Sequence, residues 1–74
     1  MIHIAQVRKE LNKHEPVNLK FWKKNGEIVE ANDVVCTSTF FQNDTCNLKF
    51  QQSEEFRKIK CWNIFEFNGE EVCL

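Results

Sequence analysis

Nucleophilic and metal-binding chemistry in this chain rests on four cysteines, Cys36, Cys46, Cys61 and Cys73, and two histidines, His3 and His14. A structural zinc site usually draws on closely spaced pairs such as Cys-x-x-Cys, which fill half of a tetrahedral shell from one turn. None of the cysteines forms such a pair, and neither histidine lies near one in sequence. No metal ligand and no cofactor are assigned. Four cysteines would also suit two disulfides in a secreted mini-protein. The chain has enough Phe, Ile and Val to form a core without them, so all four are expected to be reduced and mostly packed as small hydrophobes. Catalysis would need a nucleophile, a base and an orienting acid from Cys, His and Asp. Both histidines fall outside the strands derived below, and Thr37 and Ser38 read as ordinary strand hydroxyls. Gly26 and Gly69 each serve a turn, which leaves no glycine-rich phosphate loop. The expectation is a non-enzymatic protein with no catalytic residue and no small-molecule substrate.

Binding chemistry has better material. Lys20 and Trp22 fall on one side of a predicted strand, and Lys58, Lys60 and Trp62 on one side of another, with Arg57 adjacent. Basic side chains interleaved with aromatic rings on a small β-domain suit single-stranded nucleic acid: rings stack on bases and cations follow phosphates. The competing reading is that each Trp covers a partly exposed patch and that the lysines are solvated.

The element that positions Lys20 and Trp22 is a hairpin over Val17 to Ala31. Asn25-Gly26 is a strong short-range hairpin signal, because both residues tolerate positive φ. Val17, Leu19 and Phe21 alternate with Asn18, Lys20 and Trp22, the period of a half-buried strand. A two-residue loop would set Phe21 opposite Glu30. A three-residue loop, Lys24-Asn25-Gly26, pairs Lys23 with Glu27. It sets Phe21 beside Val29 and Leu19 beside Ala31, with Lys20 beside Glu30 and Trp22 beside Ile28 on the other face. Only the second separates apolar from charged residues, so it is the predicted register.

Around the hairpin, Met1 to Glu15 is expected to be a helix with Ile4, Val7 and Leu11 on one stripe, ending before Pro16. Asn32-Asp33 predicts a bend or bulge. Strands are expected over Val34 to Phe41, Thr45 to Gln51, Phe56 to Trp62, and through Phe65 and Phe67. A phase slip at Asn63-Ile64 marks a corner or a single helical turn, and a second Asn-Gly turn, Asn68-Gly69, leads into a last strand over Glu70 to Leu74. The predicted core is Leu19, Phe21, Val29, Val35, Leu48, Phe50, Ile59, Phe65 and Phe67. With every connection tight, no long loop is available to build a pocket.

The resulting fold class is mainly β (α+β): a single domain over 1–74, with a helix over 1–15 and the sheet over 16–74. The first expectation is a five- to six-stranded antiparallel small barrel, SH3-like or Sm-like, since closure removes exposed strand edges. The alternative is an open antiparallel sheet with the helix packed on one face. A chain of 74 residues buries only roughly 60% of its unfolded surface, so modest stability is expected. Ten basic against eleven acidic residues argue against a dedicated duplex-DNA binder. The N-terminal residues do not resemble a signal peptide, and no apolar run approaches a membrane span. A soluble, cytoplasmic protein without membrane contact is expected.

The stretches LKFWKKNGEIVEANDVVCTSTFF and FRKIKCWNIFEFNGEEVCL resemble a group of short, uncharacterised proteins from anaerobic gut bacteria and their phages and mobile elements. The shared pattern falls on Trp22, Lys23, Lys24, Asn25 and Gly26, then Cys36, Thr37 and Ser38. It continues at Arg57, Lys58 and Ile59, and closes on Ile64, Glu66, Asn68, Gly69 and Val72. The resemblance implies a free-standing bacterial domain and supplies no activity. A weaker likeness of the Lys-Asn-Gly hairpin to Sm-type barrels accompanies it. The functional expectation is therefore a small interaction module engaged in protein-protein contact or self-association, including edge pairing by Val72-Cys73-Leu74. The alternative is weak single-stranded nucleic-acid binding through Lys20, Trp22, Arg57, Lys58, Lys60 and Trp62.

Overall fold

The computed structural model describes residues 1–73. In chain order its elements are β1 (Ile2–His3), α1 (Ile4–Leu11), β2 (Val17–Trp22), β3 (Ile28–Phe40), β4 (Thr45–Phe50), β5 (Glu55–Lys60), β6 (Ile64–Phe67) and β7 (Glu70–Cys73). Single 3₁₀ turns occupy Phe41–Asn43 and Cys61–Asn63. The strands form one sheet in the order β1-β7-β6-β2-β3-β4-β5. It is mixed, because β1 pairs with β7 in parallel. Its two ends, β1 and β5, do not pair with one another, so the hydrogen-bonding order is not closed. The open sheet with a helix packed on it is the architecture observed in place of the closed barrel. Leu74, expected to end the last strand, lies outside the described residues.

The hairpin adopts the predicted register: Leu19 faces Ala31, Lys20 faces Glu30, Phe21 faces Val29 and Trp22 faces Ile28. The Lys23 N–H donates to the Glu27 carbonyl at 2.8 Å and the Gly26 N–H to the Lys23 carbonyl at 3.0 Å. Gly26 has φ +86°, the left-handed conformation that closes a three-residue loop.

Three local bulges interrupt the sheet, and two of them move core positions away from expectation. Val17 pairs with Val34 while Leu19 pairs with Ala31, so β3 carries one extra residue there, and Asp33 takes φ +56°. The bulge reverses the inward phase. Val34 is fully buried and Val35 only half-buried. A second shift falls between Cys36 and Ser38. A third lies where β2 meets β6: Phe21 pairs with Ile64 but Lys20 with Glu66. Phe65 is the surplus residue, so Ile64 enters the core and Phe65 stacks on Trp22 with ring centroids 5.0 Å apart. Val29, Phe50 and Ile59 are half-buried against the core rather than inside it.

The helix is shorter than expected. His3 is extended and caps α1, its Nδ1 accepting from the Ala5 N–H at 3.0 Å. The helix stops at Leu11, and His14 turns the chain at φ +57° before Pro16. The stripe Ile4, Val7 and Leu11 is buried as predicted. It packs onto Leu19, Phe21, Val34, Leu48, Ile64 and Phe67 together with Cys36, Cys46 and Cys61. These three thiols are buried and free; Cys73 is free and half-buried. Cys46 shares thiol hydrogen bonding with both Cys36 and Cys61, its single S–H serving one of them at a time. That contact pushes Cys46 up and pulls Cys36 down to about 7, with Cys61 also lowered. Among the described residues, no helix is long and apolar enough to cross a membrane.

Candidate nucleic-acid interface

The 3₁₀ turn Cys61–Asn63 shapes the site. It carries the chain from β5, at one end of the sheet, to β6, whose Ile64 pairs with Phe21. The last residues of β5 are thereby brought opposite the end of β2, although two strands separate β5 from β2 in the sheet order. The molecule's extents, 29 × 26 × 24 Å, are nearly equal, as curling of the sheet requires. Between β5 and the β2–β3 turn lies an open groove of about 910 Å³. Strand edges and a hairpin tip build it, so the expectation that tight connections leave no pocket is corrected.

Phe21, Ile59 and Thr45 line the groove together with Trp22, Asn25 and Asn63. Its cations are Lys23 and Lys24 from the hairpin turn and Arg57, Lys58 and Lys60 from β5. These are five of the ten Lys and Arg in the chain, and no Asp or Glu is among the lining residues. Among the described residues, Lys23 alone of the five has a carboxylate within reach, Glu27 at 4.0 Å. A distance at the outer limit of an ion pair, on an exposed side chain, neutralises little. A chain with a formal charge of -1 thus carries one locally basic groove.

Four of the six sequence-predicted residues meet there: Trp22, Arg57, Lys58 and Lys60. Trp22 is 43% exposed, with Phe65 stacked against its ring. Arg57 lies over the Phe50 ring at 5.9 Å. Lys20 is not in the groove. Its ammonium is 3.1 Å from Glu66, which holds its pKa above the ordinary value, and it lines a separate small hollow with Glu30 and Glu66. Trp62 is not at the end of a strand but within the 3₁₀ turn, so its expected parity does not apply. There the Arg8 guanidinium lies 5.8 Å from its ring centroid. Its backbone N–H donates to Asp44 at 3.1 Å, and Asp44 takes Arg8 at 2.6 Å. Trp62 therefore belongs to a clamp between α1, the Asp44 turn and the corner.

The groove residues that sequence reasoning missed are Lys23, Lys24, Asn25, Thr45 and Asn63. The two lysines were visible in the Lys-Lys-Asn-Gly turn but served only to fix register. The signal that relates them to β5 is the phase slip at Asn63-Ile64, which marks the corner. Comparison with protein-family models, curated proteins and solved structures finds no match.

Proposed function

We propose that this domain is a non-enzymatic binding module whose groove holds single-stranded nucleic acid. The observation that supports it is the grouping of Lys23, Lys24, Arg57, Lys58 and Lys60 around Trp22 with no carboxylate among the lining residues. Cations on both banks suit a phosphate chain running between them, and an exposed indole suits a base that stacks without regard to sequence. The fold reading that goes with it is an SH3-like or Sm-like barrel left unclosed between its first and fifth strands. The proposed setting is a cytoplasmic one.

The test is fluorescence anisotropy with a labelled mixed-sequence oligonucleotide of about twelve nucleotides over a salt series. With at most five cations contributing, the slope of log K against log salt should be no steeper than about -3.5. The double substitution Lys23→Glu and Lys60→Glu should weaken binding by at least tenfold and flatten that slope. Absence of binding at low salt, or an affinity indifferent to salt, would remove this reading.

A second reading, protein contact or self-association, is favoured by one observation. β5 hydrogen-bonds only to β4, is exposed along most of its length and carries Phe56 at 66% exposure. A partner strand could add to that edge. The C-terminal strand, the edge expected from sequence, is instead covered by β1. Light scattering that reports a dimer, lost on Phe56→Lys, would support it.

A further inference from the structure

We infer that a single strand held in the groove continues along the outer side of β5, where Phe56 stacks a second base. This rests on the reading of the groove as a site for single strands. Four consecutive residues of β5, Arg57 to Lys60, line the groove. Successive side chains of a strand point to opposite faces, so a cavity over one face would meet every second residue. Lining by all four places the groove along the edge of β5 that has no partner strand. The next residue along that edge is Phe56.

Lys60, Lys58 and Phe56 share one face of β5, opposite Thr45, Asn47 and Lys49 of β4, and all three are exposed. Two strand steps, about 6.8 Å, separate each from the next. That spacing is of the same order as the one between successive phosphates in an extended single strand. None of Lys49, Lys58 and Lys60 takes part in an ion pair among the described residues. Phe56 is 66% exposed, although the Lys49 ammonium lies 6.0 Å from its ring centroid. A ring this open, in line with two lysines, suits a base whose flanking phosphates meet the cations. An apolar protein surface laid on the same ring would have to desolvate those ammonium groups without compensation, which favours the phosphate-bearing chain. Glu54 and Glu55 precede Phe56, so the cationic row ends at the ring and Phe56 marks the end of the path.

The test is fluorescence anisotropy with a labelled eight-nucleotide oligothymidylate, for wild type, Phe56→Ala and Phe56→Trp, with light scattering on each protein. Phe56→Ala removes an exposed ring, so the fold should survive it. It should weaken binding by roughly fivefold or more, the worth of one stacked base. The salt slope should stay unchanged, because no cation has been removed. Phe56→Trp should restore the affinity, and the introduced indole N–H signal should shift on titration. A Phe56→Ala affinity within about twofold of wild type, or an introduced indole signal that holds its position, would overturn the second stacking site and leave the groove reading standing. If light scattering then changes in Phe56→Ala while the affinity holds, the ring belongs to protein contact instead. Absence of binding by wild type would overturn the groove reading and the extension with it.

Discussion

At the scale of single residues, Val34 and Val35 test the inward phase of β3. Val34 is fully buried and Val35 is not, because the bulge at Asp33 shifts the strand by one residue. Val34→Ala should therefore cost about 2 kcal/mol, from two lost methyl groups and the space they leave. Val35→Ala should cost less than about 1 kcal/mol. Urea denaturation of the two variants checks this, and equal costs would mean that the bulge is absent in solution. The sequence announced an interruption at Asn32-Asp33 but not its size. One extra residue and two give opposite phases, and only the pairing with Val17 tells them apart. Phe65 was misread for the same reason: its exclusion follows from pairing between β2 and β6, which are far apart in sequence. Leu19, Phe21 and Leu48 were legible because buried and more exposed positions alternate around each of them.

At the scale of elements, the hairpin is where local sequence decides most. Gly26 has φ +86°, and a Cβ built on it would meet nothing within 4 Å. The cost of a side chain there is thus backbone strain alone. Gly26→Val should destabilise the domain by ~1 to 3 kcal/mol and lower its melting temperature by several degrees or more. An unchanged melting curve would contradict the three-residue loop. The loop was readable because its turn chemistry and the segregation of Phe21 and Val29 from Lys20 and Glu30 point to the same register. The helix was readable in its buried stripe and not in its length. His14 leaves helical geometry before Pro16 forces it to, and its Nδ1 lies 2.6 Å from the Cys36 carbonyl, a contact 22 residues away in sequence.

At the scale of the whole molecule, what sequence reading could not supply was how far the sheet curls. The basic residues of the hairpin turn and of β5 lie more than thirty positions apart, and nothing local to either relates them. The corner at Cys61–Asn63 does, by setting Ile64 against Phe21. The same corner separates the two tryptophans, drawing Trp22 into the groove and Trp62 into the clamp with Arg8 and Asp44. The two indole N–H groups are therefore independent reporters, one in the candidate site and one outside it. The most direct test of the groove as a nucleic-acid site is a proton–nitrogen correlation spectrum recorded while a short single-stranded oligonucleotide is added at low salt. The Trp22 indole signal and the amides of Lys23, Lys24, Lys60 and Asn63 should shift together, with the Trp62 indole signal holding its position. Movement of Trp62 with Trp22 unmoved, or no movement of either, would contradict the assignment of the groove.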